Sequence, residues 1–204
     1  MKKIIIGTIA CIVVAIASII IYFYAPKDEF VAAPKDGENY KEISFPTPNL
    51  TQGKNKVQGV VLHHTATASI KQSLVALTSP KRNVSCHVLI DYDGTRYILA
   101  QPEQITHHAG YSTLNGRNHC NAFTIGIEFQ GCTTVTPLTE KQIASAVEYL
   151  KPIIKKYHIP SKNIVTHEMV RTEWLNNHPN SNVPTKPDVV QRDYKRVLKA
   201  LDIK

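Results

Sequence analysis

The chemistry in this chain gathers where aliphatic runs stop at histidine. Gly59-Val60-Val61-Leu62 leads into His63 and His64, and Ile164-Val165-Thr166 leads into His167 about a hundred residues later. Short apolar runs of this kind read as buried strands whose ends open on a polar site. Side chains alternate across a strand, so only one of His63 and His64 faces a given ligand. Asp188 follows a long polar loop after His167. Two imidazoles and one carboxylate are a known ligand set for catalytic zinc, with one position kept for water. The set carries a charge of about −1 and leaves bound Zn2+ at about +1, enough to polarise a carbonyl and acidify water. The competing reading is a pair of hydrogen-bonded core histidines. His178, in the loop before Asp188, competes for the third ligand position.

These residues need a scaffold that brings strand ends together. Ile70, Leu74 and Leu77 fall at i, i+4 and i+7 and mark a short helix, capped by Thr67 or Ser69 and ended by Ser79-Pro80. Residues 84–90 read as a strand, Asp91-Tyr92-Asp93-Gly94 as a turn, and Thr95 to Leu99 as the hairpin partner. Residues 101–118 read as a loop. Phe123 to Phe129 is a further strand, in which Gly126 signals close approach of another group. Thr139 and Gln142 make a capping box, and Leu138 with Ile143 a staple, at the head of a helix. Its buried stripe is Ile143, Val147, Leu150, Ile154 and Tyr157, and Pro152 is expected to kink it. A long polar loop follows His167, and residues 189–201 read as a final helix. Strands alternate with helices, so the fold class is α/β: a single domain with a central mixed β-sheet flanked by helices.

Several short motifs occur in one order: Val61-Leu62-His63-His64-Thr65-Ala66, Ser85-Cys86-His87-Val88-Leu89-Ile90, Asp93-Gly94, His108-Ala109-Gly110 and Gly116-Arg117-Asn118-His119-Cys120-Asn121. They continue with Thr124-Ile125-Gly126-Ile127-Glu128-Phe129-Gln130-Gly131, His167 and Lys186-Pro187-Asp188. With this ordered set, residues 59–188 resemble the zinc-dependent N-acetylmuramoyl-L-alanine amidase family of AmpD-type amidases, phage amidases and peptidoglycan recognition proteins. Asp rather than Cys at the last ligand position is the AmpD-like choice.

The resemblance implies that His63, His167 and Asp188 bind Zn2+, His63 being preferred to His64 as the first residue after the aliphatic run. It implies Glu128 as general base toward water, Lys186 as the cation facing the oxyanion, and His108 and Asn121 near the substrate groove. The implied reaction is hydrolysis of the amide between N-acetylmuramic acid and L-alanine in peptidoglycan or muropeptides. The alternatives are a non-catalytic recognition module that holds peptidoglycan and a zinc peptidase acting on the stem peptide. The chain departs from the AmpD pattern in a longer stretch between His167 and Asp188, where Trp174 could contribute specificity, and in Val189 where Pro is usual.

The totals set the surroundings. Of 204 residues, 43% are hydrophobic and 20% charged, an ordinary globular balance that argues against disorder. Formal charge is +8, and setting aside Lys2 and Lys3 leaves +6, which suits an anionic partner such as a cell-wall polymer. The basic residues are scattered, so nucleic acid is not expected as a partner. Lys2 and Lys3 precede an uncharged run from Ile4 to Tyr24, long enough to cross a bilayer and ending in interfacial aromatics. Residues 1–24 are therefore expected to be a transmembrane signal anchor, with a cleaved signal peptide as the alternative. This makes a single-pass protein of the cell membrane whose catalytic domain lies outside the cytoplasm, on the periplasmic or extracellular face. Residues 25–56, with Pro26, Pro34, Pro46 and Pro48, read as a linker, although Tyr40 to Phe45 could instead pack on the domain. Residues 57–204 form the amidase domain, expected to be monomeric. Cys86, Cys120 and Cys132 leave at least one thiol unpaired, and the sequence assigns no disulfide among them.

Overall fold

The computed structural model describes residues 39–202. The expected membrane anchor, 1–24, lies outside the described residues. Among the described residues, no helix is long and apolar enough to cross a membrane.

In chain order the elements are β1 (Glu42–Ser44), β2 (Leu50–Thr51), β3 (Gly59–His64), α1 (Ile70–Thr78), β4 (Val88–Ile90), β5 (Arg96–Ile98) and β6 (Ile105–Thr106). There follow β7 (Thr113–Leu114), β8 (Arg117–Asn118), β9 (Thr124–Phe129), α2 (Glu140–Tyr157), β10 (Ile164–Thr166), α3 (His167–Asn177) and α4 (Gln191–Leu201). Six strands form the central sheet in the order β1-β5-β4-β9-β3-β10. β4 and β5 pair antiparallel as a hairpin, and the other neighbours are parallel. The sheet is mixed, as the alternation of strands and helices implies.

The two faces of the sheet differ in chemistry. On one, Val60, Leu62, Ile125, Ile127, Phe129 and Ile164 pack against Ile143, Ala146 and Leu150 of α2 and Val197 and Leu201 of α4. This is the main core, and burying each such side chain contributes about 1.5–3 kcal/mol. The alternate residues face the other way. Val61 and Val165 pack on Ala109, Leu114, Phe123 and Val170, while Leu89 packs on Leu74 and Leu77 of α1. Thr124, Gly126 and Glu128 of β9, and His63 of β3, belong to this second, more polar face by the same alternation.

Local signals hold where they are strongest. Ser69 caps α1 by accepting from the Gln72 amide. Thr139 and Gln142 make the expected reciprocal capping box of α2, which runs on through Pro152 to Tyr157. Elsewhere the structure corrects the reading. Residues 84–87 are not strand, and the stretch 101–118 contains the short β6, β7 and β8. The stretch after His167 is α3 rather than loop. The folded unit also reaches back into residues read as linker. β1 adds a parallel edge strand on β5, and β2 pairs with β6. The buried Arg96 explains the attachment: Nε donates to Glu42, Nη2 to Glu148 and to the Tyr40 carbonyl, and Nη1 to the Ser145 carbonyl. A buried guanidinium requires such partners, so residues 40–56 are part of the fold.

Candidate metal centre

Three neighbouring strand ends carry the site. β3 lies between β9 and β10, and all three run parallel. The register sets His63 opposite Glu128, and Leu62 opposite Thr166, the residue before His167. Adjacent strands are about 4.8 Å apart. Glu128, His63 and His167 therefore stand side by side at the carboxyl ends of the strands, where open α/β sheets bind ligands. Thr166 ends β10 and caps α3 by accepting from the Met169 amide, which makes His167 the first residue of the helix. Asp188 comes from the segment before α4. Its carboxylate accepts from the His64 amide and its carbonyl from the Glu168 amide at 3.1 Å, so both β3 and α3 hold it.

The three sequence-predicted ligands converge. His63 Nδ1 lies 2.9 Å from His167 Nδ1 and 3.6 Å from Asp188 Oδ2, and His167 Nδ1 lies 3.5 Å from the same oxygen. All three residues are buried. Donor atoms about 2.0–2.1 Å from a tetrahedral zinc lie roughly 3.3 Å from one another, so the triangle has the right size for that ion. Asp188 Oδ2, Glu128 Oε2 and His167 Nε2 are buried without a hydrogen-bond partner. Unsatisfied buried oxygens beside a cluster of basic lone pairs call for a cation.

A relay fixes the tautomer of His63. Thr124 Oγ1 donates to the Cys120 carbonyl at 2.7 Å and so accepts from His108 Nε2 at 3.2 Å. Burial foremost, then the neighbouring histidines, pushes the His108 pKa well down, so its ring is neutral and Nδ1 is an acceptor. His63 Nε2 donates to that Nδ1 at 3.1 Å, which leaves the His63 Nδ1 lone pair facing the triangle. Burial also lowers His167 to about 4. Burial works to raise Asp188, but the imidazoles of His167 and His63 outweigh it and hold the carboxyl well below its ordinary range. A neutral His167 and an ionised Asp188 are the protonation states that a metal requires. Burial raises Glu128 well above an ordinary carboxyl, Asp188 adds to the rise, and Lys186 opposes it.

The other residues singled out in the sequence fall into place around this centre. Lys186 is exposed, with Nζ 3.8 Å from Asp188 Oδ2. His108 and Asn121, expected near a substrate groove, hold the site from behind. Both ring nitrogens of His108 are engaged as described, and Asn121 Oδ1 accepts from the amides of His108 and Ala109 at 3.1 and 2.8 Å. Gly126 is the close approach its position suggested: a Cβ there would lie 2.5 Å from His108 Cγ. The His64 ring turns away to Thr133 Oγ1 at 2.8 Å. His87 and His107 make hydrogen bonds to Gln104 and Thr106, and to Thr51 and Asn83. His178, the rival third ligand, stacks on Trp174 outside the cluster. Cys86, Cys120 and Cys132 are free thiols. Thr124 is the functional residue that sequence reading missed, since a threonine in a strand gives no separate signal.

The mixed sheet and the His63–His167–Asp188 triangle define an α/β domain with a buried cluster beside its strand ends that could hold a metal ion. The chain belongs to the N-acetylmuramoyl-L-alanine amidase family, which residues 53–182 match. The match stops short of Lys186 and Asp188. Among curated proteins, the chain is similar to the N-acetylmuramoyl-L-alanine amidase AmiD of Escherichia coli, with 31% identity over 127 residues, 55% of this chain and 45% of AmiD. It is also similar to the 1,6-anhydro-N-acetylmuramyl-L-alanine amidase AmpD of Haemophilus influenzae, with 39% identity over 87 residues, 41% of this chain and 46% of AmpD. The chain thus spans about half the length of these relatives. Among solved structures, an AmpD crystal structure superposes with a TM-score of 0.58 at 21% identity, over 78% of this chain and 94% of that one, a likeness of fold. AmiD from E. coli, in complex with the substrate anhydro-N-acetylmuramic acid-L-Ala-D-gamma-Glu-L-Lys, superposes with a TM-score of 0.51 at 26% identity, over 60% and 52%.

Proposed function

We propose that this domain is a zinc-dependent amidase that cleaves the bond between N-acetylmuramic acid and L-alanine in peptidoglycan or muropeptides. The observation that carries the reading is the buried triangle of His63 Nδ1, His167 Nδ1 and Asp188 Oδ2, with Glu128 in register beside it. These three residues would hold the zinc, which when bound supplies Lewis acidity toward the amide carbonyl and acidifies water. Glu128 takes the proton of the attacking water. Its raised pKa suits it to hold that proton and pass it to the leaving amine nitrogen. Lys186, the exposed ammonium near Asp188, faces the charge that develops on the carbonyl oxygen as the carbon becomes tetrahedral. His108 and Thr124 keep His63 in the ligating tautomer.

A recognition module without activity would not need the complete ligand set, and here all three residues are present and converge. A stem-peptide peptidase would use the same metal, and product mass spectrometry separates the two: an amidase releases an intact stem peptide and free muramoyl sugar. We further propose, from the sequence alone, that residues 1–24 anchor the chain in the cell membrane with this domain outside the cytoplasm.

The test is metal content and product analysis on purified protein. Zinc should be stoichiometric and lost in His63→Ala. Glu128→Gln should keep zinc yet lower kcat by about 10²–10⁴. Metal-replete protein that releases no stem peptide from intact wall or soluble muropeptides would overturn the reading.

A further inference from the structure

An aromatic stack stands outside the metal centre, unused by the mechanism. The Trp174 ring lies 4.9 Å from that of Tyr111 at 31°, and 4.1 Å from that of His178 at 12°. Tyr111 is 59% exposed, and His178 is exposed. The stack is held in place. The His178 Nδ1 donates to the Trp174 carbonyl at 2.8 Å. The largely buried Arg171 donates to the Tyr111 carbonyl at 2.7 Å and to the Pro184 carbonyl at 3.4 Å.

Those bonds join the stack to the catalytic segments. Tyr111 follows His108 by three residues, Pro184 precedes Lys186 by two, and α3 carries His167 at its head and Trp174 two turns later. The chemistry of the surroundings is distinctive. In a chain of net charge +8, residues 174–185 contain no Asp, Glu, Lys or Arg. They present instead the exposed amides Asn176, Asn177, Asn180 and Asn182. Flat, fixed aromatic rings beside uncharged amides match a sugar. The C–H faces of a pyranose stack on the rings, and its hydroxyl and N-acetyl groups pair with amides. An acidic stem peptide would instead seek free cations; residues 174–185 supply none, and Arg171 beside them is largely buried and engaged by the Tyr111 and Pro184 carbonyls.

We propose that Tyr111, Trp174 and His178 form a subsite for the glycan strand, so that the domain engages polymeric N-acetylated glycan next to the bond it cuts. The link to cleavage rests on the amidase reading, whereas saccharide binding does not. Trp174 is the sole tryptophan, so its emission reports on the subsite directly. Detergent-solubilised full chain is titrated with chitotetraose and, separately, with L-Ala-D-γ-Glu-L-Lys. Chitotetraose should change Trp174 emission saturably, the peptide should not, and Tyr111→Ala should weaken saccharide binding about three- to tenfold. In turnover, Tyr111→Ala should raise KM for long glycan strands more than KM for soluble muropeptides. An unchanged circular dichroism spectrum establishes that the variant is folded, and His178→Ala serves as the second variant. Emission that is silent to the saccharide, or that responds to the peptide alone, overturns the subsite even where hydrolysis is observed. Saccharide binding without hydrolysis leaves the subsite standing and removes the amidase.

Discussion

Gly126→Ala is the most informative single substitution in this fold, because it reaches the candidate metal centre without touching a proposed ligand. Gly126 has an ordinary backbone conformation, so alanine brings no left-handed strain. The added methyl would lie 2.5 Å from His108 Cγ and 2.8 Å from its Cβ and Nδ1. Carbon atoms normally approach to about 3.5–4.0 Å. The ring has no free direction of retreat, since His63 holds one nitrogen and Thr124 the other. Overpacking of this kind costs about 1–3 kcal/mol. Breaking the His63–His108 bond leaves a buried donor unsatisfied, at about 1–3 kcal/mol more. The expected loss of stability is therefore about 2–6 kcal/mol. Zinc affinity should fall about 10- to 100-fold, the usual cost of losing a ligand's supporting partner.

Urea unfolding of metal-free protein measures the first quantity and competition with a chelating dye the second. The double variant Gly126→Ala, His108→Ala isolates the route. If the methyl acts by striking His108, removing that ring relieves the clash, and the two substitutions couple by about 1–3 kcal/mol. Gly126→Ala within about 0.5 kcal/mol of the parent protein, or strictly additive costs in the double variant, would refute the account.

Acid should destabilise the metal-free domain well above the carboxylate range. His87 is fully buried, burial lowers its pKa to about 4, and the Gly126 amide donates to its Nδ1. An unfolded histidine titrates near pH ~6.5, so the unfolded chain binds the proton first. Stability from this group is complete above ~6.5 and is lost as pH falls toward 4, by about 3 kcal/mol, with His64, His108 and His167 acting in the same direction and Glu128, whose pKa burial raises, acting against them. Urea midpoints that stay level from pH 7 to 4.5 would contradict this. A chain begun at residue 57 should lose about 2 kcal/mol or more relative to one begun at 39, because Arg96 loses Glu42 and the Tyr40 carbonyl. Equal unfolding midpoints for the two would show that β1 adds nothing.

What the sequence disclosed follows from how strongly each element constrains its residues. β3 and β9 are central strands buried on both faces, so they appear as aliphatic runs, and the polar residues that interrupt them, His63 and Glu128, stand out as the chemistry. α2 has a full capping box and a regular apolar stripe. α3 escaped because its buried face is His167, Val170 and Arg171, which have helical spacing without helical hydrophobicity. β1, β2 and β6–β8 have two or three residues each, too few for a period to show, and β1 is held by a charge network that composition reads as linker.

His108 shows where residue type stops being informative. A buried histidine can ligate, donate, accept or touch substrate, and its loop has no period to say which way it points. The structure decides through its neighbours: Thr124 spends its proton on Cys120, His108 must then donate to Thr124, and His63 must donate to His108. Three hydrogen bonds with one consistent direction carry the tautomer from a strand hydroxyl to a candidate metal ligand. Because Gly126 leaves room for the middle ring, that glycine belongs to the candidate metal centre as much as the residues that would bind the ion.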